Sequence, residues 1–266
     1  MSNSGRNPQV TQWPNPYAPS GALAETVPRG WFTASNASVL TTQIMTATAL
    51  YVPGNLPCTN LNFRTATTGN TVPTNWWFAL YDASSNLIRQ STDQLAAAWA
   101  ANTKVTLALD SIPVTAGARV ASTTVTLTFP TLSESLTNLI LVGDSVVVSN
   151  ANIAAYNATF TVVTVSATQI TYVSGGSATD SLVAPFPTVQ LAASRKLYRP
   201  ATGALCYANV MFKGTVGTMV ATNSFASFLG DTPVLAGTAG AALTGTAPSP
   251  MGAITAIAGQ TYAYIS

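Results

Sequence analysis

The chain contains no histidine, and its 266 residues carry only ten basic and eight acidic side chains, 7% of the total. Soluble domains spend about a quarter of their residues on charge. Without histidine, Ser-His-Asp triads, most zinc sites and the commonest general base are gone. The eight carboxylates, Glu25, Asp82, Asp93, Asp110, Glu134, Asp144, Asp180 and Asp231, show no spacing that pairs an acid with a base. Several fall at turn positions, where an aspartate caps its own backbone. Gly143-Asp144 and Gly230-Asp231 lack the alternating oxygen ligands of a calcium loop. No catalytic residue, metal site or cofactor is expected.

The basic residues are as sparse, with one small cluster at Arg195, Lys196 and Arg199. Phosphate neutralisation needs a dense stripe, so nucleic acid is not an expected partner. The only two cysteines, Cys58 and Cys206, lie far apart with neither metal nor redox spacing. A long-range disulfide and a pair of small buried apolar side chains are both open readings. No stretch reaches the run of about 18 apolar residues that a membrane helix needs, so no membrane insertion is expected. Met1 to Gln9 is polar and has no apolar segment of export-signal type.

What the chain does have is hydrophobicity, at 47% of residues, with abundant Thr, Ala, Ser and Val. Disorder requires low hydrophobicity or high net charge, and neither applies. A fold is expected whose exterior is hydroxyl and amide rather than ionic. Residues 1–29 read as an extended docking arm, because Pro8, Pro14, Pro16, Pro19 and Pro28 remove amide donors and hold the chain open. Trp13 and Tyr17 on that arm are the expected anchors.

From Gly30 onward, short β-branched and aromatic runs alternate with turn residues, the pattern of an all-β fold. Strands are expected at 42–52, 58–64, 75–81, 87–91 and 103–109, with a hairpin turning at Ala83 to Asn86. Gln94 to Ala101, with Leu95 and Trp99 four apart and a run of alanines, reads as one short helix. Four further strands are expected at 123–129, 139–149, 159–165 and 169–173, with Gly175-Gly176 and Pro185 to Pro187 marking the exit. Val105 to Leu109 followed by Ile112 to Gly117 reads as the start of a strand pair whose continuation returns only at Leu191 or Leu205, which places an inserted β-barrel or sandwich module at 119–189. The outer body is then 30–118 plus 190–266, with a core strand at 205–213. Trp31, Trp76, Trp77, Tyr156 and Trp99 are the aromatics available for a subunit interface or a glycan contact. Trp76 and Trp77 face opposite ways in a strand, so one is expected in the core and the other outside.

The run Trp77-Phe78-Ala79-Leu80-Tyr81-Asp82, then Ser85-Asn86-Leu87-Ile88, Gln90-Ser91 and Thr106-Leu107-Ala108-Leu109, with Cys206-Tyr207-Ala208-Asn209-Val210-Met211 and Lys213-Gly214, resembles a jelly-roll module of bacteriophage virion proteins, the minor tail proteins of actinobacterial phages. The middle is similar to small β modules of phage structural proteins through Val142-Gly143-Asp144-Ser145-Val146, Tyr156-Asn157-Ala158-Thr159-Phe160-Thr161-Val162 and Ile170-Thr171-Tyr172. That pattern has Gly after the Asn, where this chain has Ala158. The resemblance implies a jelly-roll-like β-sandwich in a non-enzymatic virion protein, present in multiple copies as a homo-oligomer, a trimer among the forms it allows. It implies assembly in the bacterial cytoplasm and a place on the tail or capsid exterior. The arm would bind other virion proteins, and the outer loops would meet a host surface glycan. A capsid decoration protein is the alternative address, and a carbohydrate-binding module is the alternative class.

Overall fold

Trp76-Trp77-Phe78-Ala79-Leu80-Tyr81 runs without a polar interruption. Successive side chains of a strand point to opposite faces, so such a strand must be covered on both. The rest of the fold supplies the two covers. The computed structural model describes residues 24–25, 37–215, 217–220, 236–256 and 263–266. The arm anchors Trp13 and Tyr17, and Trp31, lie outside the described residues.

The first half of the chain forms β1 (Ala24–Glu25), β2 (Ala37–Val39), β3 (Met45–Val52), β4 (Asn60–Arg64), β5 (Val72–Asp82), β6 (Leu87–Gln90), β7 (Lys104–Ala108), β8 (Ser111–Pro113) and β9 (Ala116–Thr128). A four-residue helix α1 (Leu136–Leu139) precedes β10 (Ser145–Ser149), β11 (Thr159–Val165), β12 (Gln169–Ser181) and β13 (Thr188–Gln190). The chain ends with β14 (Ala204–Thr215), β15 (Thr218–Val220), β16 (Ala236–Ala239), β17 (Thr255–Ala256) and β18 (Ala263–Ile265). The protein is all-β, its large sheet ordered β17-β16-β3-β14-β5-β6-β8-β13-β10-β11-β12-β9 and a smaller one β1-β18-β4-β7.

Strand β14 sits between β3 and β5, antiparallel to both, with Phe212 opposite Trp76 and Ala208 opposite Leu80. On one face Trp76, Phe78, Leu80, Val210 and Phe212 pack with Leu61 and Phe63 of β4 and Ile265 of β18. The Trp76 ring stacks on Phe212 at 5.3 Å and on Trp99 at 5.6 Å between centroids. This is a sandwich, with two sheets sharing one core.

The other face carries Trp77, Ala79, Tyr81, Met211 and Met45, and its cover is a strap without regular structure, residues 240–251, which follows β16. The sheet's side chains hold the strap by its backbone. The Trp77 indole donates to the Thr244 carbonyl at 2.6 Å and the Tyr81 hydroxyl to the Pro248 carbonyl at 2.8 Å. Ala247 N–H donates to Gln90 Oε1 at 2.8 Å, and Leu243 N–H to the Gln43 carbonyl at 3.0 Å.

Two structural findings correct the sequence reading in the body. Gln94 to Ala101 is not helical: Leu95 has φ +51° and is 46% exposed, while Trp99 pairs with Asn70 and is buried. The core claims Trp99 for the Trp76 and Phe212 stack, and tertiary packing overrides the alanine propensity. Trp76 and Trp77 are both buried, on opposite faces, because each face has its own cover.

A separate apolar cluster runs from Ile112 to Leu191, centred on Val125, Leu127, Val146, Tyr156, Ile170 and Tyr172. Strands β8, β13, β10, β11, β12 and β9 follow one another around it. Thr115 N–H, just after β8, donates to the Thr128 carbonyl of β9 at 2.8 Å and brings the last strand back to the first. The incoming and outgoing strands are neighbours, with Ser111 opposite Gln190. The sequence places an inserted module at 119–189, and the apolar cluster reaches just beyond those bounds to Ile112, Val114 and Leu191. Two smaller expectations also change. The first part of 139–149 is α1 and a turn rather than strand, and Gly175-Gly176 lie inside β12 rather than at its exit.

The polypeptide of residues 111–191 expressed alone is expected to fold with a cooperative thermal transition by circular dichroism. A coil spectrum would contradict an autonomous module.

Candidate functional site

The side chains with chemistry to offer gather at joints. The first is inside the module. Strands β9 and β12 pair in register to Thr124 and Val173, then resume at Ser122 and Ala178, so residues 174–177 of β12 bulge out. Arg119 fills the bulge. Its Nη1 donates to Ser174 Oγ at 2.9 Å, the Gly175 carbonyl at 3.0 Å and the Gly176 carbonyl at 2.8 Å, and its Nη2 to Asp180 Oδ2 at 2.6 Å. Gly176 turns at φ +71°, a conformation that glycine adopts without strain.

The Tyr156 hydroxyl donates to the other Asp180 oxygen, and its ring lies 5.7 Å from the Arg119 guanidinium carbon. The hydrogen bond from Arg119, then that from Tyr156, holds the Asp180 carboxyl below the ordinary aspartate range. Burial first, and Asp180 second, pushes the Tyr156 hydroxyl well above the ordinary tyrosine range. The three side chains clasp the bulge of β12 against β9.

The second joint ties the module to the body. Buried Arg89 of β6 donates from Nη2 to Glu134 Oε2 at 2.7 Å and from Nη1 to the Ile88 carbonyl at 2.6 Å. Beside it Ser133 N–H donates to the Leu87 carbonyl at 2.9 Å, and the Ser249 hydroxyl of the strap donates to the Thr131 carbonyl. Hairpin, module and strap therefore meet at one corner. A third joint is Asp110, whose Oδ2 accepts from Gln190 Nε2 at 2.6 Å and lies 3.3 Å from Lys196 Nζ.

The remaining described carboxylates are also committed. Asp82 Oδ1 accepts from Ser84 N–H and Asn86 N–H at 2.9 Å each and fixes the β5–β6 turn. Asp93 Oδ1 accepts from Trp76 N–H at 3.0 Å and Leu95 N–H at 3.1 Å. Burial raises the Asp93 carboxyl, and its hydrogen bonds from Asn75, Leu95 and Trp76 oppose that rise. Asp144 Oδ2 accepts from Leu141 N–H at 2.8 Å in the turn before β10.

Of the two readings open for the cysteines, the structure adopts buried free thiols. Burial pushes Cys58 up to about 11 and Cys206 up to about 12, which keeps both protonated and weakly nucleophilic at neutral pH. The sequence-predicted contact aromatics Trp76, Trp77, Tyr156 and Trp99 are at most 3% exposed, so they offer no ring face to a glycan or a neighbouring subunit. Sequence reasoning missed Arg89, Arg119 and Asp180. Arg119 and Asp180 did carry a signal: each stands in a long stretch with few charges, where a lone ion has to find a partner.

Among the described residues, no group of His, Cys, Asp and Glu is placed to hold a metal ion, and no helix is long and apolar enough to cross a membrane. No family model, curated protein or solved structure matches the chain.

The two aspartates act on stability with opposite sign. Asp180 is lowered, so its support is complete above about pH 4, where an unfolded aspartate titrates, and is lost as pH falls through the folded value. Asp93 is raised, so its contribution is complete below about pH 4 and is lost as pH rises through the folded value. Asp180→Asn is expected to lower the melting temperature at neutral pH and to flatten its fall on acidification. Thermal melts from about pH 2 to about pH 7 check this. An unchanged acid limb would assign that limb to other groups.

Proposed function

We propose that this chain is a non-enzymatic structural protein of a bacteriophage particle, carried on its exterior as a minor tail protein that contacts the host. Its body is jelly-roll-like, its module is an insertion, its N-terminal arm docks on other virion proteins, and copies assemble as a homo-oligomer. The observation that carries this reading is the use of charge. Each of the six carboxylates whose side chains are described, Asp82, Asp93, Asp110, Glu134, Asp144 and Asp180, is spent on a bond that fixes the path of the chain.

Two long surface stretches of the module are neutral. Residues 120–133 and 145–179 contain no Asp, Glu, Lys or Arg, yet Thr164, Val163 and Val173 are exposed there. A neutral surface of hydroxyls and methyls packs against neighbours without desolvating ions, which costs several kcal/mol for each unpaired charge. The order of motifs that resemble phage virion proteins agrees with this use. A carbohydrate-binding module is less favoured, since Trp76, Trp77 and Trp99 are inside.

Quantitative mass spectrometry of density-purified particles encoding the chain tests the proposal. A handful to a few tens of copies per particle is expected of a tail protein, hundreds would make it a capsid decoration protein, and its absence from particles would overturn the virion reading.

A further inference from the structure

Under the strap the sheet is not level. Asn209 of β14 stands opposite Ala47 of β3 and Ala79 of β5, and Ala79 stands opposite Gln90 of β6, which makes one row across four strands. Strand alternation puts Asn209 on the face of Tyr207 and Met211, the face that the strap covers. The rows on either side are built of long side chains, with Met211 opposite Trp77 and Tyr207 opposite Tyr81. The middle row is low, because Ala47 and Ala79 end at their methyl groups. The strap is tied at Thr244 to the Trp77 indole and at Pro248 to the Tyr81 hydroxyl, so residues 245–247 pass over Ala79 between those two ring tips. A methyl reaches less far from the sheet than an indole nitrogen or a phenol oxygen.

Asn209 is the polar residue on the floor of this row, and it is 0% exposed, as are Ala47 and Ala79. Its Nδ2 donates to the Tyr207 carbonyl at 3.0 Å, while its Oδ1 has no donor. A buried acceptor in that state has given up water without replacement, and native cores seldom keep one. Gln90 is the other amide of the row. Its Oε1 accepts from Ala247 N–H of the strap at 2.8 Å, and its Nε2 donates to the Ser91 carbonyl at 3.1 Å, which uses one of two protons.

We infer that one water molecule is bound over Ala79, between sheet and strap, as a fixed part of the fold. It donates to Asn209 Oδ1 and accepts the second Nε2 proton of Gln90. Its other proton goes to a strap carbonyl, which has a lone pair to spare even where an indole or a phenol already donates to it. Three hydrogen bonds are the usual complement of an internal water. A wholly apolar hollow stays dry, so the two amides are what make this one wet. The water accounts for an asparagine set between two alanines in a core, where an apolar side chain would otherwise be the cheaper choice. It joins the strap to the middle of the sheet, as Trp77 and Tyr81 join it on either side.

The buried methyl groups make the test. In the full chain carrying alanine labelled with carbon-13 at the methyl, a water-selective rotating-frame Overhauser experiment reads which methyls lie beside water. Ala79 and Ala47 have no solvent-exposed surface, so bulk water gives them no signal. A water cross-peak to the Ala79 methyl is expected in the wild type, and its absence would overturn the site. Asn209→Leu keeps the approximate size of the side chain and removes the acceptor. With a native circular dichroism spectrum, this variant is expected to lose the cross-peak. A peak that persists there comes from a neighbouring hydroxyl exchanging with solvent, and would also overturn the site. Should Asn209→Leu fail to fold, Tyr81→Phe removes the hydroxyl beside Ala79 and leaves both amides in place. The cross-peak is expected to remain in that variant, and its disappearance would assign the signal to the phenol and not to a bound water.

Discussion

The fold depends on one constraint, the burial of a central strand pair on both faces. Each buried tryptophan removes about 200 Å² from water, worth on the order of 5 kcal/mol. Trp76 and Trp77 take opposite sides of β5, so neither side can be left wet. The Trp76 side is closed by a second sheet, as in any sandwich. The Trp77 side is closed by a strap, and an indole N–H buried there without an acceptor would cost about 1–3 kcal/mol. The Thr244 carbonyl meets that need, and the Pro248 carbonyl does the same for Tyr81. Burial thus requires the strap, and the polar tips of the aromatic residues set where it runs.

Charge is distributed by the same logic. An ion inside a nearly neutral chain is stable only beside its partner, so the few charges work best where two segments must be held in one arrangement. Arg119 and Asp180 fix a bulge between two strands of the module. Arg89 and Glu134 fix the module against the hairpin, at the corner where the strap also arrives. Over 120–133 and 145–179 the chain carries no charge at all, and the hydroxyls and methyls exposed there are the composition that the proposed assembly role uses.

Much of this was legible in the sequence, and the limits have physical causes. The β5–β6 hairpin is readable because a dense apolar run ends in Asp82 and a turn that Asp82 itself caps. Strand β11 is readable from its β-branched run, and β14 from an apolar stretch broken only by Asn209 before Lys213. The strap is not readable, since it has no periodicity of its own and its path is set by side chains more than 150 residues away. The segment 94–101 misleads because alanine propensity is local, whereas the placement of Trp99 is decided by rings from β5 and β14. Gly175-Gly176 misleads in the same way, as their meaning is supplied by Arg119 on another strand. Trp76 and Trp77 mislead for a related reason: alternation tells which faces a strand has, not how many of them are covered.

Hydrogen exchange of the two adjacent indoles tests the central claim most directly. If both faces of β5 are sealed, the Trp77 indole N–H bonded to the Thr244 carbonyl and the Trp76 indole N–H bonded to the Ala97 carbonyl exchange only through large-scale opening, and both are slow by NMR under native conditions. A Trp77 indole that exchanges at the rate of an exposed side chain, while Trp76 stays protected, would show that the strap does not close the second face and would contradict the account.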